Sequence, residues 1–211
     1  MKVLNVSEVT NGIDKIISKK QEEREDLQSI SDAINKVVNL DNSLTGKGGE
    51  AIKENFILVH VPILISFETF IDSYIENLQQ IKSLVESYES GNGFIREDFI
   101  EQDVSNGINK VEQMTHDFVD DINKHLNTVN DLMHTTSINL YQFNQTVSDS
   151  KQQMEKTLEG LRELDANSEE SLKIAEDDLQ KVHESTSKVV NISRKGALLS
   201  QTELQRLFKK Y

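Results

Sequence analysis

Leu44-Thr45-Gly46-Lys47-Gly48-Gly49 is the stretch whose reading decides the fold. Three of the nine glycines in the 211-residue chain stand within it. A helical pattern runs up to it through residues 7–40, and another leaves it from Glu50. Asp41-Asn42-Ser43 ends the first pattern, because these side chains compete for the backbone hydrogen bonds of a helix. The stretch therefore reads as the corner of a helix hairpin. Glycine permits positive φ and close backbone approach, and Leu44 is placed to plug the corner. A phosphate loop is set aside: its leading glycine would fall on Asp41, and no Ser or Thr follows Lys47.

Working outward, Ser7 serves as an N-cap with Glu8 in the first turn. Val9, Ile13, Ile16, Leu27, Ile30, Ile34 and Val37 then share one helical face. The charged middle, residues 18–26, reads as a solvated face with pairs such as Lys19 to Glu23. The second helix carries a stripe from Ile52 through Phe56, Val59, Ile63, Phe67, Ile71, Leu78 and Val85 to Tyr88. Between Phe56 and Ile65 apolar residues surround the axis, so this part is expected to be buried on several sides. Pro62 cannot donate a hydrogen bond and crowds the preceding turn, which predicts a kink. His60 beside it reads as a core histidine satisfied by a freed carbonyl.

Ser90-Gly91-Asn92-Gly93 stops that helix. A third helix is expected from Arg96 to Met133, with Ile100, Val104, Ile108, Val111, Phe118, Ile122 and Val129 on its stripe. After a break at 134–138, a fourth helix runs from Leu140 to Leu164. Asp165-Ala166-Asn167-Ser168 is expected to close it and cap a fifth, whose Leu172, Ala175, Leu179, Val182 and Val189 are almost a heptad repeat. Arg194-Lys195-Gly196 suits a helix C-terminus. The Ser200/Glu203 capping box, with a Leu199/Leu204 staple, starts a short final helix. The fold class is all-α: an elongated bundle of long antiparallel hairpins with a kinked second helix. Residues 1–199 form the domain, and 200–211 begin a linker helix.

Composition agrees. Apolar residues are 36%, aromatics 6%, and there is one Pro and no Trp, which suits thin amphipathic helices better than a loop-rich enzyme. The net charge of −13 opposes contact with nucleic acid or anionic lipid. With no Cys, disulfides and Cys-based zinc sites are impossible. The N-terminus has no apolar signal core. The longest apolar run, Phe56 to Phe67, falls short of the roughly 20 residues that span a bilayer. No HExxH, G-x-S-x-G, GxGxxG or paired Glu-x-x-His pattern is present, so no catalytic residue, metal ligand or cofactor is assigned.

The chain resembles the LXG domain, the N-terminal module of polymorphic toxins exported by type VII secretion systems of Gram-positive bacteria. Leu44-Thr45-Gly46 is similar to the motif that names the family, and Lys47-Gly48-Gly49-Glu50-Ala51-Ile52 continues it. His60-Val61-Pro62, the stretch Asn92-Gly93-Phe94-Ile95-Arg96-Glu97-Asp98-Phe99, and the opening Lys2-Val3-Leu4-Asn5-Val6-Ser7 also fit. The resemblance covers essentially the whole chain. It implies a secretion-targeting domain related to the small WXG hairpins, with Leu44 in place of their Trp. It implies partnership with small WXG-like helical proteins encoded nearby, recognition by the type VII machinery, and secretion without a cleavable signal peptide. The toxic activity would lie in a C-terminal domain not visible here.

Candidate partner surfaces are the first helix and the first half of the second, with Phe56, His60, Pro62 and Phe67 marking the kink. Phe94-x-x-x-Asp98 and Phe99-x-x-x-Asp103 match an aromatic-x-x-x-acidic export pattern in letters, against the plainer reading of an amphipathic helix. Two other functions compete: a membrane-active or pore-forming helical protein using Phe56–Phe67, and a plain coiled-coil scaffold.

Overall fold

The structure is a computed structural model that describes residues 1–40 and 43–194. It is all-α apart from one two-stranded sheet. The order is β1 (Val3–Asn5), α1 (Val6–Val38), α2 (Gly46–Asn55), a π-helical turn (Phe56–His60), α3 (Val61–Tyr88), β2 (Phe94–Arg96), a second π-helical turn (Phe99–Val104), α4 (Ser105–Val129) and α5 (Tyr141–Arg194). The expected linker helix at 200–211, its cap and staple, and Lys195-Gly196 lie outside the described residues, as do Asp41 and Asn42.

Four expectations are corrected. The helix after the glycine stretch begins at Gly46, not Glu50, so all three glycines lie in its first turns. The third helix starts at Glu97, because Arg96 belongs to β2, carries a π-turn at Phe99–Val104 and ends at Val129 rather than Met133. The expected break at Asp165–Ser168 is absent, and α5 runs through it as one helix of 54 residues. The reason is register. Val147, Met154, Leu161, Ser168, Ala175, Val182 and Val189 are spaced by seven, and each is buried or half-buried. With neither Pro nor Gly between 161 and 194, the weak cap residues cannot stop a helix whose inward positions continue on both sides. Finally, the segment around Phe56–Ile65 is less covered than expected, with Ile57 and Ile65 exposed.

The irregularity expected at Pro62 takes the form of the first π-turn. The Val61 N–H donates to the Phe56 carbonyl, five residues back. That looser turn places Pro62, which has no N–H, just inside α3. Ser66 Oγ donates to the Pro62 carbonyl at 2.9 Å.

The chain divides into two compact units. One comprises Met1–Ser7 and Val85–Ala166. Its buried apolar residues are Leu4, Val6, Val85, Val147, Leu158, Leu161 and Leu164. The Tyr88 hydroxyl donates to the Thr157 carbonyl at 2.7 Å. A Cβ on Gly160 would stand 2.9 Å from the Tyr88 ring, so the missing side chain is what lets the ring approach α5. Burial, and then the charge of Glu89, raises the Tyr88 phenol above its ordinary pKa.

The other unit comprises Glu8–Leu84 and the chain from Asn167. Ile13, Ile34, Val59, Ile71, Leu78, Ile81, Ala175, Val182 and Val189 are buried in it. Val59 packs with Val189, and Leu58 and Ile63 lie against them. Lys82 Nζ reaches Asp14 at 2.7 Å, and Arg24 from the charged middle of α1 reaches Asp72 on α3 at 2.5 Å. Within that middle Lys20, not Lys19, pairs with Glu23. These pairs are solvent-exposed and serve alignment more than stability.

Candidate functional site at the glycine turn and the apolar helix

The three glycines of the turn meet different demands. Gly46, the first residue of α2, has φ +76°, a left-handed conformation that side chains with a Cβ rarely adopt. Thr45 before it is extended (φ −118°, ψ 167°) and makes no side-chain cap. Gly49 is buried under the backbone of Leu44. A Cβ there would lie 2.6 Å from the Leu44 carbonyl carbon, 2.7 Å from its oxygen and 3.4 Å from Leu44 Cγ. Gly48 has open space on all sides. Leu44 thus closes over the first turn of α2, and it is Gly49 that admits it. Lys53, one turn on, is buried with its ammonium 3.6 Å from Glu50.

The turn feeds a surface. Gly46–Tyr88 is the helix, among the described residues, that is long and apolar enough to cross a membrane. Its most apolar 18-residue window has a mean hydropathy of 1.6, and only 11% of that window is buried. The run seemed too short in sequence because Glu68 ends it. Over a longer window, isolated polar residues do not offset the Ile and Phe content. Ile52, Ile57 and Ile65 are exposed, and Phe56, Leu64 and Phe67 half-buried. The half-buried His60 ring lies 5.2 Å from that of Phe56. Further along, Ile65, Thr69 and Phe70 of α3 line a groove of about 270 Å³ with Lys181, Val182 and Ser185 of α5. Sequence periodicity put Phe56, His60, Pro62 and Phe67 on this element but could not identify Ile57 and Ile65 as its exposed residues, because apolar residues surround the axis from Phe56 to Ile65.

The opening stretch and the stretch around Phe94 meet in space. β1 and β2 pair antiparallel, with Val3 opposite Arg96, Leu4 opposite Ile95 and Asn5 opposite Phe94. The Val6 N–H donates to the Gly93 carbonyl (3.1 Å) and the Glu97 N–H to the Lys2 carbonyl (3.0 Å). The Glu97 carboxylate accepts the Lys2 N–H at 2.9 Å and Arg162 Nε at 2.9 Å, and the terminal ammonium of Met1 lies at 3.7 Å. Arg162 also reaches Glu101, and Lys2 reaches Asp165. Sequence reading missed this node, because nothing in a periodicity marks Glu97 as the buried residue among many exposed carboxylates.

Hydrogen bonds from Arg162 and then from the Lys2 backbone hold the Glu97 carboxyl below its ordinary pKa of 4.5. A carboxylate depressed in the folded state contributes stability above its unfolded pKa and loses it as pH falls through the folded value. Glu97→Gln should therefore lower the melting temperature at neutral pH. The gap from the parent chain should narrow as pH falls below about 4.5, and circular dichroism melts across that range test it. A gap that stays constant with pH would mean that the charge on Glu97 contributes nothing.

The export candidates lie at this sheet. Phe94 is 63% exposed on β2, and Phe99 is exposed at the start of the second π-turn. Asp98 is drawn to Arg96 (Nε to Oδ1 3.2 Å), which holds its carboxyl below the usual range, whereas Asp103 is exposed. Among the described residues no group of three or more His, Asp or Glu could hold a metal ion.

The family model described as the LXG domain of the WXG superfamily matches residues 2–202. The chain belongs to the LXG family. It is also similar to Toxin YxiD of Bacillus subtilis (strain 168), with 26% identity over 181 residues. That alignment covers 85% of this chain but 32% of the relative, so the chain spans about a third of the relative's length. In this LXG domain the stretches quoted for the resemblance fall at three places: the Leu44–Gly49 turn, the junction of the first π-turn with α3 at His60–Pro62, and the sheet that joins the opening stretch to Phe94–Arg96.

Proposed function

We infer that this LXG domain is a non-catalytic targeting module that docks small helical partner proteins for type VII secretion. Its turn and the open face of α2–α3 are the docking platform. The observation that carries the reading is the strongly apolar Gly46–Tyr88 helix, on which Ile52, Ile57 and Ile65 stand exposed and Phe56, Leu64, Phe67 and Phe70 are only half-buried. A soluble helix normally covers such a face, and large open apolar patches mark interaction sites. A helix of another protein laid along Ile57 and Ile65 and into the groove beside Phe70 would cover it. The composite would be the species that the secretion machinery accepts, exported without a cleavable signal peptide. Toxic activity would belong to a C-terminal domain, as the similarity to one third of a toxin suggests.

Co-expression with the small helical proteins encoded beside the gene tests this, read by co-purification and by export from the native host. Leu44→Ala removes the plug, and Gly46→Val strains a residue with φ +76°. Both should reduce partner retention and export together. If no such partner binds, and export survives both substitutions, the reading fails.

The same helix favours a second reading, a membrane-active protein, since length and hydropathy suit insertion. Against it stand the net charge of −13 and the Lys82–Asp14 and Arg24–Asp72 pairs, which insertion would break. Leakage of liposomes caused by the isolated chain would support this alternative.

A further inference from the structure

α4 leaves an apolar face open to solvent. Val111, Met114, Phe118, Ile122 and Val129 fall on one face at three- to seven-residue spacing, yet no residue of α4 is buried. Phe118 is 64% exposed and Val111 56%. The half-buried side of α4 mixes polar pairs with Ile108, Val119 and Leu126: Glu112 meets Lys151 at 2.6 Å, and His116 meets Asn144 at 2.9 Å with the edge of Phe143 beside it. Val111, Phe118, Ile122 and Val129 belong to the stripe that periodicity assigns to the third helix, and the structure leaves them in water, whereas Val104 and Ile108 of the same stripe are half-buried. Leu132 and Met133, just beyond the helix, are also exposed and extend the apolar surface.

The edge of the stripe away from α5 carries the charge. Asp117 and Asp121 lie there by helical geometry, with Asp120 behind them. Asp121 takes Lys124 at 3.1 Å, and Asp120 and Asp117 act on the same ammonium, raising its pKa. Three carboxylates thus share one lysine, and the edge keeps a surplus of negative charge.

We propose that the α4 stripe is a docking site, separate from the α2–α3 face, for a helix of another protein that presents an apolar stripe edged with Lys or Arg. The shape supports a helix: from Val111 to Val129 the site is narrow and roughly 27 Å long, the length of about five helical turns. The charge decides the chemistry of the edge. A basic border pairs with Asp117 and Asp121, whereas a second copy of this chain would bring the same carboxylates face to face. Anionic lipid is repelled for the same reason.

The test uses the full chain and two synthetic amphipathic helical peptides with the same leucine stripe, one edged with Lys and one with Glu. Binding is read by fluorescence anisotropy at moderate salt. The Lys-edged peptide should bind, and the Glu-edged peptide at least about tenfold more weakly. Phe118→Ser with Ile122→Ser should weaken the Lys-edged peptide at least about tenfold, while Leu172→Ser with Ile174→Ser, at exposed positions of α5, leaves it unchanged. Helicity by circular dichroism checks folding. As a second arm, Asp117→Lys with Asp121→Lys should reverse the preference between the peptides. Equal binding by the Phe118/Ile122 variant overturns the proposal. So does a dimer in sedimentation that this variant abolishes, or binding of the chain to phosphatidylcholine–phosphatidylglycerol vesicles through the same residues. Failure of the co-expressed partners on α2–α3 would leave these outcomes unaffected, so the two readings fail separately.

Discussion

Gly49→Ala should destabilise the protein while Gly48→Ala, one residue away, should stabilise it. In a helix, replacing Gly by Ala ordinarily gains up to about 1 kcal/mol, since the unfolded chain loses freedom and the helix gains propensity. At Gly48 nothing lies within 4 Å of the added carbon, so the full gain is expected. At Gly49 the added carbon would stand 2.6 Å from the Leu44 carbonyl carbon. That neighbour is backbone and cannot rotate away, so the turn or the start of α2 must shift. Overpacking of this kind costs about 1–3 kcal/mol, which exceeds the propensity gain over most of its range. The propensity gain is common to both, so the two substitutions should differ by the overpacking cost, about 1–3 kcal/mol, read as midpoints of urea unfolding. The Gly49 variant should also hold less partner, because displacing Leu44 displaces the entry to the docking face. Two variants of equal stability would mean that the Leu44 backbone yields freely and that the turn is no mechanical element.

This contrast is also where sequence legibility runs out. Clustering of Gly46, Gly48 and Gly49 marked a corner, but their separate duties depend on φ and on the distance to Leu44, neither of which composition carries. The helices themselves were legible, because each has an apolar stripe at helical spacing. Their ends were legible only where a strong breaker stands, as at Ser90–Gly93. At Asp165–Ser168 weak cap residues suggested a stop, and the seven-residue register through Leu161, Ser168 and Ala175 overrode it. The β1–β2 pair was invisible: three-residue strands show no alternation, and their pairing joins distant stretches such as Val3 and Arg96. Resemblance had singled out both stretches without indicating that they touch. Periodicity shows that α4 has an apolar stripe, but a sequence shows which face is apolar and never what covers it. The same limit holds on α2–α3, where periodicity does not separate the exposed Ile57 and Ile65 from their half-buried neighbours.

Buried and open apolar residues should consequently behave in opposite ways. Leu161 is 3% exposed, with Leu158 and Leu164 buried beside it on α5. Leu161→Ala removes three carbons from a packed site that can close only in part, and such changes cost about 2–5 kcal/mol. For a chain of this size that lowers the melting temperature by roughly 4–20 °C. Ile65 is 55% exposed and is not covered by its own chain. Ile65→Ser removes a similar amount of apolar surface and should change stability by less than about 0.5 kcal/mol, as surface substitutions do. Its effect should appear only when a partner is present: if Ile65 is an anchor of the docking face, its loss costs more than about 1 kcal/mol of binding, and retention of the partner falls several-fold. Melts of both variants, with and without the co-expressed partner, separate the cases. Leu161→Ala should lose stability in both conditions. Ile65→Ser should match the parent alone and lose only the increment that a bound partner adds to the native state. A large loss by Ile65→Ser in the absence of any partner would show that this side chain belongs to the internal packing of α3, and the docking face would have to be sought elsewhere.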